Sequence, residues 1–105
     1  MRGRQGLSVE QTDLEDVVRL EVTGELDLAT APELEYRLRR LRTRHVNVRL
    51  NLSRLEFVDV AGARTIARVL AEAGADGWLE LEPELSATAR RVFELVDLPG
   101  LVSNA

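Results

Sequence analysis

Cysteine and lysine are both absent from the 105 residues, and histidine occurs once, at His45. Without cysteine there is no disulfide, no thiolate metal site and no thiol nucleophile. One histidine cannot assemble a His-based metal cluster or triad, so His45 is expected to be a plain loop or strand-edge residue. Aromatic side chains make up only 4% of the chain, so a stacking platform for single-stranded nucleic acid lacks its rings. A net charge of −4 adds repulsion of phosphate polymers. No run of about 18 apolar residues is present to cross a bilayer. Met1–Glu10 has basic residues but no apolar core of the signal-peptide kind. A cytoplasmic location, no direct membrane insertion and no nucleic-acid partner are therefore the expectations. Neither GxxxxGK[ST] nor GxGxxG occurs, so no phosphate-cradling loop is indicated. Nothing supports a catalytic residue, a metal site, a cofactor or an enzyme.

What is present is patterned. With 45% apolar residues, the chain suits one compact domain over 1–105, with residues 1–6 expected as a disordered N-terminus. "LSVEQT" (7–12) alternates weakly, and "VVRLEVT" (17–23) sets Val18, Leu20 and Val22 opposite Arg19, Glu21 and Thr23. The two predict an antiparallel pair across Asp13–Asp16, with Gly24 ending the second strand. "TAPE" (30–33) offers a capping box between Thr30 and Glu33, with Pro32 in the first turn. A helix to about Thr43 follows, burying Leu34, Leu38 and Leu41.

Residues 46–52, "VNVRLNL", alternate as a strand. From Val60 to Ala73 the spacing becomes helical, with Ala63, Ile66, Ala67, Leu70 and Ala73 on one face and Arg64, Arg68 and Glu72 in a solvent row. "GADG" turns the chain. "WLELE" (78–82) predicts a strand with Trp78, Glu80 and Glu82 on one side and Leu79 and Leu81 on the other, the two glutamates facing solvent and Trp78 packing in the core or at its rim. A last helix over Ser86–Val96 carries Leu85, Ala89, Val92, Phe93 and Val96, and "DLPG" stops it. The order, an opening pair followed by alternating helices and strands, predicts an α/β fold: a small, mostly parallel mixed sheet of four to five strands flanked by helices. The all-arginine basic set reads as the codon bias of a GC-rich bacterial genome.

Two blocks, "VTGELDLATAPELEYRL" and "VRLNLSRLEFVDVAGARTIARVL", resemble the STAS domain of the bacterial anti-sigma factor antagonists, a resemblance that covers nearly the whole chain. The resemblance implies a small mixed sheet with flanking helices and a role in transcription regulation. In that family the domain binds an anti-sigma factor, itself a GHKL-type kinase, and phosphorylation of a serine or threonine directly after an aspartate switches it off. Here the aspartate is Asp59, but Val60 and Ala61 follow. Neither accepts a phosphoryl group. The implied antagonist keeps a partner-facing corner and lacks the usual phosphorylation site, with Leu28, Asp59, Val60, Ala61, Gly62, Arg64 and Thr65 as the partner-binding set.

A plainer reading stands beside this one. Asp59 suits an N-cap, and Gly62 would let the first turn pack closely. Thr65 and Ser53 are the nearest hydroxyls and the candidates for a displaced phosphosite. Arg37, Arg39, Arg40, Arg42 and Arg44 near the end of the first helix suit a solvated cap that complements the helix dipole; an acidic protein or anionic headgroups are the functional alternatives. The resemblance also admits a STAS subunit of a larger assembly, such as a stressosome-like complex or a lipid or ABC transporter accessory, and a small-ligand or nucleotide sensor. Monomer and dimer both fit.

Overall fold

The computed structural model describes residues 6–96, and of Ala75 the backbone only. The N-terminal stretch 1–5 and the "DLPG" stop lie outside the described residues. The elements in chain order are β1 (Leu7–Asp13), β2 (Val17–Leu26), α1 (Ala31–Thr43), β3 (Asn47–Val58), α2 (Val60–Ala73), a 3-10 turn (Gly74–Asp76), β4 (Leu79–Leu85) and α3 (Ala87–Val96). They build one four-stranded sheet in the order β1-β2-β3-β4. β1 is antiparallel to β2, while β2, β3 and β4 run parallel. The two crossovers step the same way across the sheet, so α1 and α2 cover the same face. α3 packs beside α2 over β3.

Under that helix layer lies the core. Alternation in β2 delivers Val18, Leu20, Val22 and Leu26 to it, and β3 delivers Val48, Leu50, Leu52, Leu55 and Val58. The helices answer with Leu34, Leu38 and Leu41, with Ala63, Ile66 and Val69, and with Ala89 and Phe93. Val69, which the helical spacing did not single out, is fully buried, while Ala67 and Leu70 are half-buried against the same cluster.

Both central strands outrun their predicted ends. β2 passes through Gly24 to Leu26 because Gly24 takes a left-handed φ of 91°. A Cβ at Gly24 would collide with the Gly6 carbonyl oxygen. β3 runs from Asn47 to Val58, with register shifts near Asn51–Ser53 and Leu55–Phe57. Each bulge inserts a residue and flips the inward phase, so buried positions move from Leu50 and Leu52 to Leu55 and then Val58. A single alternating template loses the strand at the first flip. β4 likewise continues past residue 82 through Pro83 to Leu85. The proline is tolerated because β4 is an edge strand with a register jump at that point.

The opposite sheet face is polar, and it corrects the reading of the glutamates. Glu80 is exposed and pairs loosely with Arg49 at 3.9 Å. Glu82 is not solvent-facing. Arg19 grips it with both guanidinium nitrogens at 2.9 and 3.1 Å, and Asn51 Nδ2 donates to it at 2.7 Å. Asn51, itself buried, accepts from the Ser53 hydroxyl at 2.8 Å. The Arg19 hydrogen bonds hold the Glu82 carboxyl below the usual carboxylate range, with Asn51 adding to the effect against the cost of burial. Trp78 packs into the core, as its size suggests. It is buried just before β4, with the Arg42 guanidinium over its ring at 5.5 Å.

On the helix side, the row of Arg68 and Glu72 is not merely solvated. Glu35 of α1 pairs with Arg68, and Arg39 bridges Glu35 and Glu72 at 2.8 Å each, clamping α1 to α2. Glu72 lowers its pKa and Arg39 raises its own through the hydrogen bond they share. The predicted Thr30–Glu33 capping box does not form. The Thr30 hydroxyl turns back into the loop, donating to the Glu25 carbonyl at 2.8 Å and accepting from the Asp27 amide at 2.9 Å, so it is not free to cap.

Glu82, with its depressed folded pKa, contributes stability that is fully present above the unfolded glutamate value of about 4.3 and is lost as pH falls through the lower folded value. The urea midpoint of Glu82→Gln should thus trail the parent most at neutral pH, and the gap should close on acidification. Urea titrations at several pH values check this.

Candidate functional site

The corner after β3 is built on two backbone facts. β2 and β3 end side by side, with Leu26 paired to Val58, and the Asp59 amide donates to the Leu26 carbonyl at 3.1 Å. α2 then begins directly under the loop that links β2 to α1. Gly62 makes that approach possible. A Cβ there would lie 2.5 Å from the Leu26 carbonyl oxygen and 2.9 Å from its side chain. Any larger residue must push the helix off the strand.

Asp59 does more than cap. Its backbone is extended, at φ −103° and ψ 178°, and Oδ1 accepts from the Gly62 amide at 2.7 Å, which is the N-cap bond of α2. Oδ2 accepts from the Leu28 amide at 3.2 Å. One carboxylate thus joins the α2 N-terminus to the β2–α1 loop. A second aspartate shapes that loop from within: Asp27, only 9% exposed, accepts at Oδ1 from the Ala29 and Thr30 amides at 3.0 Å each. Asp27 was not singled out from the sequence. Its signal was there in "DLAT", an aspartate set to accept from amides two and three residues ahead, an Asx-type turn.

The result is a small apolar lip. Leu28 is 75% exposed and Val60 43% exposed, flanking the Asp59 carboxylate. Between Asp27, Leu28, Ala29 and Asp59 lies a shallow depression of about 290 Å³. Ala61 is half-buried, and Arg64 is exposed one turn further on, unpaired among the described residues. Two of the expected contact residues fall beneath this surface. Gly62 is buried against Leu26, and Thr65 is 8% exposed with its hydroxyl donating to the Ala61 carbonyl at 3.1 Å. Ser53 lies elsewhere, half-buried and bonded to Asn51. Among the described residues no group of three or more His, Cys, Asp or Glu side chains is placed to hold a metal ion. No described helix is long and apolar enough to cross a membrane.

A protein-family model described as "Mlab, STAS domain" matches residues 9–103. The chain belongs to this STAS family. Solved structures share the STAS fold. The anti-sigma factor antagonist SpoIIAA in its unphosphorylated form superposes with a TM-score of 0.73 at 21% identity, covering 90% of this chain and 84% of that one. An anti-sigma factor antagonist from Mycobacterium paratuberculosis gives 0.73 at 24% identity, covering 89% and 80%. The phosphorylated form of SpoIIAA from Bacillus gives 0.68 at 20% identity, covering 90% and 87%. At these identities the likeness is one of fold. No curated protein matches the chain. The four-stranded mixed sheet with its helices on one face is thus the STAS arrangement, and the strand-to-helix corner at Asp59 is part of it.

Because both Asp59 oxygens are engaged, Asp59→Ala should cost about 1–2 kcal/mol of stability in urea unfolding and should speed hydrogen exchange at the Leu28 amide. Asp59→Asn, which keeps an acceptor oxygen, should retain most of the stability. Gly62→Ala should cost about 1–3 kcal/mol by forced displacement of α2, read in the same titration.

Proposed function

We propose that this STAS domain is a regulatory protein-binding domain of the anti-sigma factor antagonist type. It docks an anti-sigma factor of the GHKL-kinase class through Leu28, Asp59, Val60, Ala61 and Arg64, with Gly62 and Thr65 holding the corner from below. It has no phosphorylation switch at residue 60. The observation that carries this reading is the exposed Val60, directly after the N-cap aspartate and beside the exposed Leu28.

The chemistry of the missing switch follows from that position. A phosphoryl group brings roughly −1.5 to −2 charges. At residue 60 it would meet the Asp59 carboxylate, whose oxygens already occupy the amides of Gly62 and Leu28. Such a group would both repel Asp59 and erase the apolar lip. Valine offers no oxygen to carry it and keeps a branched apolar surface for a partner to cover. The neighbouring hydroxyls do not substitute: Thr65 is buried and bonded to its own helix, and Ser53 belongs to the Arg19–Glu82 cluster. Docking rather than turnover is the activity this corner supports.

The same valine favours one second reading, a STAS subunit of a larger assembly such as a stressosome-like complex or a lipid or ABC transporter accessory, because a structural subunit needs no phosphorylation cycle. The two separate on the partner. Co-elution of the purified chain with a GHKL-type kinase from its own genome supports the antagonist; co-elution with transporter or scaffold components instead supports the subunit.

Val60→Glu should abolish the kinase complex while leaving the urea midpoint near that of the parent, since Val60 is outside the core; retained binding would remove the corner from the interface. Incubation with the kinase and ATP should leave the intact mass of the chain unchanged, as mass spectrometry can verify.

A further inference from the structure

The arginines of α1 are sorted into two sets. Arg39 and Arg42 turn toward α2 and the 3-10 turn, where they meet Glu35, Glu72 and Asp76. Arg37, Arg40 and Arg44 turn away, toward β1, and none of the three is ion-paired among the described residues. They line a groove of about 430 Å³ together with Gln11, Tyr36 and Leu41. Glu33 is the one carboxylate in the lining, at the α1 N-terminal end, and Asp13 stands beside the groove, bonded to Gln11 at 3.0 Å; neither is within ion-pairing distance of the three cations. Tyr36 is 63% exposed, and the Arg40 guanidinium stands over its ring at 5.7 Å, which holds that cation at the groove wall. A solvated helix cap requires neither a groove nor an exposed aromatic ring.

β1 reaches this groove through Gln11, and it is an edge strand. It pairs with β2 along all seven residues and with nothing on its outer side among the described residues. Its outer N–H and C=O groups are therefore open to another strand. The arginine row extends about 10 Å along the helix, and alternate side chains of an extended chain recur every 6–7 Å or so. A strand added to β1 would run beside α1 and present every second side chain to that row.

We propose that the groove between β1 and α1 takes an extended acidic segment of a partner protein, added as a fifth strand on β1, with carboxylates on alternate residues meeting Arg37, Arg40 and Arg44. Charge selects this occupant. A second copy joined through β1 with its helix layer on the same side would set two unpaired arginine rows against each other. An anionic bilayer cannot use the β1 backbone groups and is repelled by the chain's net charge of −4. The site lies along α1, away from the Asp59 corner, and does not depend on the reading of that corner.

A fluorescent synthetic peptide alternating glutamate and threonine is the probe, read by anisotropy with the full chain. Binding should weaken as salt rises. It should fall about tenfold or more in Arg37→Glu/Arg40→Glu, whose thermal unfolding should match the parent because both side chains are exposed. Amide chemical shifts of the parent with peptide should move along β1, with slowed exchange at alternate β1 amides; this second readout stands even if the double variant fails to fold. The proposal is overturned by absence of binding at about millimolar peptide, by shifts that spare β1, or by equal binding of the lysine–threonine counterpart. Arginine-dependent binding to phosphatidylserine vesicles or to nucleotide without peptide binding also overturns it.

Discussion

The carboxylate of Asp59 is the constraint on which the corner depends. It sits where two parallel strands end together, and it spends one oxygen on the first turn of α2 and the other on the loop that enters α1. The exposed Leu28 and Val60 are therefore placed by a polar group beneath them, and the apolar lip has a fixed shape without being packed. Gly62 completes the constraint from the side of sterics, because α2 can approach Leu26 closely only where there is no Cβ. A charge, a glycine and two strand ends make a presentation surface from residues that bury little area.

Legibility in the sequence followed the physics of each element. β2 and α2 were readable because one phase or one period runs through each, and their core faces fell nearly where the spacing put them. The first helix kept its Leu34, Leu38 and Leu41 stripe but not its cap, since the loop claimed the Thr30 hydroxyl for Glu25 and Asp27. β3 was half legible. Its alternation is clean to Leu52 and then flips at a bulge, and a flip looks the same as an end when only one template is tried. Glu80 and Glu82 show the limit most clearly: identical residues at alternate positions of one strand, of which one meets water and the other meets Arg19 across two strands. That choice is made by sheet order and register, which pattern alone does not carry. At the corner, the family motif located Asp59 and Val60, while the burial of Thr65 and the role of Asp27 needed the loop's path.

The polar clusters divide labour in a way composition conceals. The Glu35–Arg39–Glu72–Arg68 set joins two helices in partly exposed surroundings, where ion pairs contribute little each and gain from acting as a network. The Arg19–Glu82–Asn51 set is more enclosed and spans three strands. Its value lies less in net energy than in register: a slip of one residue in β4 would leave a carboxylate without its guanidinium, an error far costlier than a lost surface pair.

The two margins of the sheet are unequal. Pro83 lacks a donor and lies where β4 breaks step with β3, so a ladder on that margin is interrupted there, while among the described residues the β1 margin has no such guard. A body with a single adhesive side can terminate a stack but cannot propagate one. Strand addition among the described residues is thereby biased to one side, which favours capping by a heterologous companion over open-ended stacking.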